Sequence, residues 1–533
     1  MNEMINKVAG LWPEMVLLLG ASACLITGLA PQADTRRTTP WIAAGSLLIA
    51  GLLVPFAPAA DHSMGLGGIT SFIKLAVTTV GLILLMVASG VPEQLEQNQT
   101  ATPGHRFDPG DYMGGEFYAF LLLSLTGAML ASGADDLVWL FLALELTSLP
   151  TYVMVVTGRN RIAASESAVK YFFLGALSAA IFLYGFALIY GATGFTDFRS
   201  IHNEVQQQLV RTQALSPLLL MGLVLSIAGI CFKIAAVPMH FYAADVYEGA
   251  HSSVTALLAF VPKAAGFIAL ILLLKLLDWP LNKTPGWDSG DVVVTLIWVM
   301  AVLTMTIGNV LGLLQQNVKR VLAYSSIAHS GYLLVGLLAG PVVAAETSSL
   351  GDGLAAILFY LVAYGLGTIG SFAVIGCLQT RGEEAQTFAD LTGLSKRQPM
   401  LAAIMLISVL SLLGLPPLVG FLGKIYLFGA AYTAGFVWLV VIAVLNSAIS
   451  AAYYLRIVAV CYIGDPDETV EPVPAPGRRA GAIIAAIAVI TLGLAGGKLV
   501  DSARTATAQE QPITVVPDLS KTKHTSQAPT SNK

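Results

Sequence analysis

Residues 229–251, GICFKIAAVPMHFYAADVYEGAH, begin as an apolar helix and then depart from that pattern. Lys233 lies within the apolar run, and Pro238 follows five residues later. Two histidines and two acidic residues come within the next thirteen positions. Because proline removes a backbone donor and clashes with the preceding turn, this helix is expected to break near Pro238. The break and the lysine beside it need an explanation from the rest of the chain.

The composition indicates which medium surrounds this segment. The chain has 533 residues, of which 56% are hydrophobic and 11% are charged, and its mean hydropathy is +0.75. This is too little polar surface to cover a soluble globule of such a length. The sequence therefore predicts a protein of the lipid bilayer, with no nucleic-acid partner.

Apolar stretches of the length that crosses a bilayer as a helix recur along the whole chain. Strand-like alternation is absent, so an all-α polytopic membrane protein is predicted. The fourteen predicted spans lie at about 14–30, 41–57, 70–90, 116–133, 136–156, 167–190, 215–240, 253–277, 292–314, 321–340, 353–378, 399–430, 434–462 and 480–500.

Pairs of basic residues occur only in loops that follow odd-numbered predicted spans. By the positive-inside rule these loops are cytoplasmic, so both termini are expected on the non-cytoplasmic side. The polar segment 501–533 has no apolar periodicity and is expected to be disordered. The pairs are Arg36 and Arg37, Arg159 and Arg161, Lys319 and Arg320, Lys396 and Arg397, and Arg478 and Arg479.

Five ionisable residues lie near the middle of five different predicted spans, where a charge costs at least ~3 kcal/mol on insertion scales. Glu145, for example, is ten residues past Asp135, which places it about 15 Å deep in a helix. Buried structural salt bridges could account for one or two of these groups. Five at one depth instead indicate a polar line through the bundle, formed by Glu145, Lys233, Lys263, His329 and Lys424.

The twelfth predicted span contains a second break, at Pro416 and Pro417. Lys424 lies seven residues past Pro417, about two turns along the resumed helix, and its head is expected not to reach the carbonyls freed at the break. The lysine precedes the proline in span seven and follows it in span twelve. This reversal predicts two inverted five-helix repeats, spans four to eight and nine to thirteen, each with one broken helix.

The repeats divide the chain into a three-helix N-terminal segment, two repeats, a last helix and a tail. The corresponding boundaries are 1–112, 113–277, 290–462, 480–500 and 501–533. No phosphate-binding glycine loop, metal-ligand spacing or pocket for an organic solute is evident in the sequence. Lysine, histidine and glutamate can carry protons where water bridges them, so a proton path is predicted.

Three blocks together carry a family resemblance: VPMHFYAADVYEGAHSSVTALLAFVPKAAGF (237–267), NVKRVLAYSSIAHSGYLLVG (317–336) and GLPPLVGFLGKIYLF (414–428). They resemble the antiporter-like, proton-translocating membrane subunits of respiratory complex I, the NADH:quinone oxidoreductase. The resemblance extends over about 10–465. It implies a coupled pair of Glu145 and Lys233, an axis through Lys263 and His329, and a terminal site at Lys424.

The resemblance also implies a non-redox subunit of an inner-membrane enzyme complex. NADH, FMN, Fe–S clusters and quinone are then expected on other subunits, and the partners are a neighbouring antiporter-like subunit and small membrane subunits. His240 either joins the proton path or caps freed carbonyls. His251-Ser252-Ser253 replaces a proline-containing turn of the family pattern, and Tyr242-Ala243-Ala244 stands where a tryptophan and a proline are usual. Both departures leave the local loop geometry open.

Two other functions fit the same residues. A subunit of a multisubunit cation/proton antiporter or of a membrane-bound hydrogenase would share every lysine named above. A stand-alone secondary transporter would also use broken helices in inverted repeats. The subunits that accompany the chain would distinguish these cases.

Overall fold

A computed structural model gives the fold of the chain. The structure describes residues 8–57, 67–90, 114–157, 162–212, 214–277, 279, 288–341, 351–380, 383–466 and 469–508. The segment 509–533 of the predicted tail lies outside the described residues.

Helices make up nearly all of the described chain. Those of the N-terminal segment and the first half are α1 (Trp12–Gly28), α2 (Ala33–Arg36), α3 (Thr39–Leu53), α4 (Gly67–Ala88), α5 (Gly114–Ser132), α6 (Leu137–Thr157), α7 (Ile162–Thr193), α8 (Phe198–Thr212), α9 (Pro217–Ile230), α10 (Ala243–Gly249) and α11 (Ser252–Lys275). Those that follow are α12 (Asp288–Leu313), α13 (Val318–Ala339), α14 (Gly353–Gly376), α15 (Leu394–Arg397), α16 (Pro399–Leu413), α17 (Val419–Thr433), α18 (Val437–Tyr462), α19 (Pro476–Ala495) and α20 (Gly497–Ala508).

Eleven helical stretches in the described residues are long and apolar enough to cross a bilayer. Three shorter apolar helices, α1, α9 and α16, overlap the first, seventh and twelfth predicted spans. The prediction of a polytopic membrane protein built from helices is therefore confirmed. The count of fourteen spans, the inverted repeats and the domain boundaries remain predictions.

Two of the shorter helices end where a proline lies just ahead. After α9 the chain forms turns until α10 begins at Ala243, and Pro238 lies within this interruption. After α16, Gly414 adopts a left-handed conformation with φ 87°, and α17 begins beyond Pro416 and Pro417. A residue without a Cβ adopts this φ at little cost.

The centre of the bundle consists of α11 and α14, which pack against each other. Every residue of α14 is buried, and all of α11 except Lys275 is buried. By contrast, α3 and α18 expose large apolar side chains on the outside, including Trp41 and Trp438 with 78% and 77% of their surface exposed. Such faces suit contact with lipid or with other membrane subunits.

The loops that carry Lys319, Arg397 and Arg478 meet on one side of the bundle, which we call the basic face. Arg159 and Arg161 lie outside the described residues. Lys319 bonds the carbonyl of Ala250 at 2.6 Å, and Arg478 bonds the carbonyl of Gly376. A three-stranded antiparallel sheet on this face joins the loop after α14 to the loop after α18. Its strands are β1 (Leu378–Thr380), β2 (Glu383–Glu384) and β3 (Val470–Pro472), in the order β2-β1-β3.

The expectation of disorder from residue 501 is wrong for the first part of the tail, because α20 continues to Ala508. Its buried residues, Val500, Ala503, Ala506 and Thr507, recur at helical spacing. Thr507 also donates a hydrogen bond to Asp352, the N-cap of α14, at 2.5 Å. Because these residues are small, a search of the sequence for large apolar side chains does not detect this packed face.

Candidate functional site

Lys233 and Glu145 form an ion pair inside the bundle. Lys233 Nζ lies 2.8 Å from Glu145 Oε1 and 2.7 Å from Ser148 Oγ. The Lys233 side chain is 1% exposed and that of Glu145 is 16% exposed. A buried lysine needs such partners, because an unpaired charge in a low-dielectric interior is costly.

The interruption after α9 directs Lys233 into the bundle. Lys233 lies two residues beyond the C-cap Cys231, outside the regular helix. Gly266 of α11 lets this segment approach closely, since a Cβ there would lie 2.6 Å from Ile234 Cγ2 and 3.2 Å from Lys233 Cβ. The break and the glycine together bring Lys233 beside the helix that carries Lys263.

Lys263 is bound by neutral oxygen atoms. It is 1% exposed, and its Nζ donates to the Ser326 carbonyl and, at 2.7 Å, to Ser330 Oγ. Ser330 in turn donates to the carbonyl of Ile234, next to Lys233. Among the described residues, no acidic side chain forms a salt bridge with Lys263. The Ser330 hydroxyl thus links Lys263 to the Lys233 segment.

His329 lies between two tyrosine hydroxyls. Its Nδ1 is 2.6 Å from the Tyr360 hydroxyl, and its Nε2 is 2.9 Å from the Tyr454 hydroxyl. Its ring lies 4.9 Å from the ring of Tyr364, and Lys263 Nζ lies 5.1 Å from the centre of that same ring. A phenol can donate or accept a hydrogen bond, so this arrangement serves either neutral tautomer of the imidazole.

Lys424 lies at the far end of the line. Its Nζ donates to the Leu413 carbonyl and to Ser447 Oγ, each at 2.8 Å. The expectation that it would not reach the freed carbonyls is therefore wrong, because Leu413 is the last residue of α16. Gly414 turns the chain back towards α17, and a Cβ on it would lie 2.9 Å from Lys424 Cδ. Counting residues along a straight helix missed this reversal.

The tyrosine rings fill the interval between His329 and Lys424. The Tyr332 ring centre is 5.6 Å from the His329 ring and 5.0 Å from Lys424 Nζ. A polar cluster lies beside it, since Asn309 Nδ2 donates to the Tyr332 hydroxyl at 3.1 Å and to Asn446 Oδ1 at 3.2 Å. Hydroxyl groups, carbonyls and aromatic rings thus connect the neighbourhoods of the five predicted residues, and their role as a proton path stays a prediction.

His240 lies in the interruption and is buried, with its ring 4.6 Å from that of Phe241. Among the described residues, no side-chain hydrogen bond joins it to Lys233 or Lys263. The part of the chain that the structure describes also holds no group of three histidine, cysteine or acidic residues able to bind a metal ion.

The sequence reasoning missed the hydroxyl groups that link the charged ones. Ser326 and Ser330 flank His329 at helical spacing, and Tyr360 and Tyr364 are four residues apart on α14. Hydroxyls recurring on one face of an apolar span were the available signal.

A second buried ion pair, Glu14 with Lys74 at 2.7 Å, was also missed. Lys74 lies near the start of the third predicted span, a position from which a lysine stem commonly extends to the membrane interface. It is instead enclosed in the N-terminal segment, where it also donates to the Gly10 carbonyl at 2.9 Å.

Comparison with known proteins assigns this chain to a family. The model described as "NADH:quinone oxidoreductase/Mrp antiporter, TM" matches residues 134–450, a stretch that includes the whole line and both breaks. The chain belongs to the NADH:quinone oxidoreductase/Mrp antiporter family. Among other members is NADH-quinone oxidoreductase subunit N of Trichlorobacter lovleyi, 37% identical over 462 residues, or 86% of this chain and 88% of that one. Subunit N 1 of Sorangium cellulosum is 40% identical over 399 residues, or 74% and 75% of the two chains.

Two solved structures share the fold. A chain of respiratory complex I from Thermus thermophilus with bound Aureothin aligns with a TM-score of 0.70 at 29% identity, covering 92% of this chain and 98% of that one. A chain of the Mrp complex from a Dietzia species aligns with a TM-score of 0.74 at 20% identity, covering 95% and 97%. The second likeness concerns the fold alone.

Proposed function

We propose that this chain is the proton-translocating subunit N of an inner-membrane NADH:quinone oxidoreductase. The observation that carries the proposal is the buried line from the Glu145–Lys233 pair through Lys263 and His329 to Lys424. Oxidation of NADH and reduction of quinone, with FMN and Fe–S clusters, are assigned to other subunits. The exposed apolar faces suit contact with lipid, a neighbouring antiporter-like subunit and small membrane subunits.

The line can move charge because its members affect one another electrostatically. Like charges repel strongly in a medium of low dielectric constant, so a proton on Lys233 disfavours a proton on Lys263. Glu145 offsets this repulsion while it stays paired with Lys233. Separation of the pair would therefore change the proton occupancy of the next lysine, and so on along the line.

The orientation follows from the basic pairs. We place the basic face in the cytoplasm and both termini on the opposite side, in accord with the positive-inside rule. In this orientation, Lys319 and Arg320 are at the cytoplasmic side of α13, and Asp352 is at the outer side of α14.

The decisive experiment replaces Lys263 by methionine in the assembled complex, reconstituted in vesicles with a pH-sensitive dye. Methionine approximates the length of the lysine stem but cannot hold a proton. We expect Lys263→Met to assemble and to pump poorly. Lys396→Met is the matched control, because Lys396 is 54% exposed and pairs with Asp465 on the surface. Normal pumping by Lys263→Met would refute the proposal.

A further inference from the structure

The segment that carries Lys233 ends in a reversal of the chain at Ala235. The Ala236 amide donates to the Cys231 carbonyl at 2.8 Å, and the Ala235 amide donates to the Phe232 carbonyl at 3.0 Å. These two bonds, with Ala235 at φ 52°, form a common helix ending in which glycine is the usual residue. A Cβ disfavours this left-handed conformation. The backbone directly after Lys233 therefore needs contacts from its surroundings to stay in place.

Val237 is beyond this reversal, and its amide has its partner in another helix. The Val237 N–H donates to Thr304 Oγ1 of α12 at 3.0 Å. Among the described residues, no backbone carbonyl accepts a hydrogen bond from this amide. Thr304 is 0% exposed and Val237 is 8% exposed. Loss of the hydroxyl would therefore leave a buried N–H group without a partner, which is costly.

A second hydroxyl holds the same segment from α13, since Ser330 donates to the Ile234 carbonyl. Close packing of α12 against α13 brings the two hydroxyls together. A Cβ on Gly331 would lie only 2.6 Å from the backbone nitrogen of Met305. Gly331 follows Ser330 in the sequence, and Met305 follows Thr304. This close contact of the two helices therefore fixes both hydroxyls relative to each other.

The segment joins the two parts of the bundle through different kinds of bond. Its ion pair reaches α6, where Glu145 Oε1 lies 2.8 Å from Lys233 Nζ. Its backbone is bonded to α12 and α13 by Thr304 and Ser330. The attraction in an ion pair falls as the two charges separate. The strength of the Glu145–Lys233 pair therefore depends on where the two hydroxyls hold the segment.

We propose that Thr304 is a positioning residue for this ion pair. Its hydroxyl oxygen holds the left-handed segment after Lys233 and so keeps the ammonium group beside Glu145. Thr304 acts through the backbone of the segment and carries no proton itself. Without the hydroxyl, Ala235 can leave the left-handed region and the lysine moves away from the carboxylate. This inference rests on the proposed function of the line.

The test is Thr304→Val in the assembled complex, in vesicles with a pH-sensitive dye. Valine has a similar shape but offers no acceptor to the Val237 amide. We expect the proton flux per electron to fall by about threefold or more, and Thr304→Ser, which keeps the acceptor, to restore it. Thr126→Val is the matched control, because Thr126 is also 0% exposed but bonds the Leu122 carbonyl of its own helix at 2.8 Å.

A second measurement separates positioning of the pair from a general structural role. In Glu145→Gln the ion pair is already lost, so adding Thr304→Val should lower the flux by a much smaller factor than it does in the native protein. An equal factor in both backgrounds would overturn the positioning role, and so would normal pumping by Thr304→Val alone. If Thr304→Val does not assemble, Thr304→Cys takes its place, because a thiol is only a weak acceptor.

Lys263→Met in the same vesicles tests the proposed function separately. If Lys263→Met pumps poorly while Thr304→Val pumps normally, the function of the line stands and the role of Thr304 is refuted. Normal pumping by Lys263→Met would remove both.

Discussion

At the scale of residues, the members of the line differ in what holds them. Lys233 has a carboxylate partner, whereas Lys263 and Lys424 donate to carbonyl and hydroxyl oxygens. Neutral oxygen atoms stabilise the charged ammonium form of a lysine less than a carboxylate does. They can also accept a hydrogen bond from the neutral amine form. This difference accords with the proposal that Lys233 works through its pair, whereas Lys263 and Lys424 gain and lose protons.

The Glu145–Lys233 pair should behave as one unit under mutation. Glu145→Gln leaves a buried lysine without its anion, and Lys233→Met leaves a carboxylate without its cation. Each single change should impair pumping, and the double change should cost much less than the sum of the two. Proton flux per electron, measured for all four proteins in vesicles, gives the coupling. Strict additivity would mean that the two groups act independently.

Lys424 has both a structural contact and a predicted proton role, and Lys424→Arg separates them. Arginine keeps a charge that can bond the Leu413 carbonyl, but it does not release a proton, because the guanidinium group stays protonated in proteins. We expect the variant to assemble and to pump poorly. An assembly gel run beside the vesicle assay provides the control. Full pumping by Lys424→Arg would leave only the helix-break contact as its role.

At the scale of elements, the fit of α17 against α14 depends on a glycine. A Cβ on Gly423 would lie 2.3 Å from Tyr360 Cδ2, and the Tyr360 hydroxyl bonds His329. Gly423→Ala should therefore displace the tyrosine and slow proton transfer. Gly45→Ala in α3 is the matched control, because its Cβ would meet nothing within 4 Å. Equal pumping by the two variants would show that the line tolerates this displacement.

The elements also show what the sequence could and could not predict. The sequence singles out Glu145, Lys233, Lys263, His329 and Lys424 because charge is rare and costly in apolar spans, and their role stays a prediction. The reversal at Gly414 depends on one positive φ, and the bond from Lys424 to Leu413 follows from that angle. Ser330 and Tyr364 are ordinary residues of membrane helices, and only the packing of α11, α13 and α14 reveals their part in the line.

At the scale of the whole molecule, the orientation can be tested by labelling. Thr196→Cys, in the exposed loop after α7, should react from outside, and Asp465→Cys, 97% exposed after α18, should react from the cytoplasm. The native cysteines, Cys24, Cys231, Cys377 and Cys461, are all buried, so background labelling should be low. Unmodified protein is the control. Reaction of both variants from one side would refute the proposed orientation.

The last long helix closes the molecule against one of the first. Arg478 of α19 is buried and donates to the carbonyl of Val87 in α4 at 3.2 Å, across 391 positions of sequence. A ribosome adding about 5–20 residues per second needs roughly 20–80 s to cover that interval. During biogenesis, lipid or an insertion factor must therefore cover the face of α4 that α19 later contacts. A nascent chain stalled before residue 476 would present that surface to the quality-control machinery of the cell.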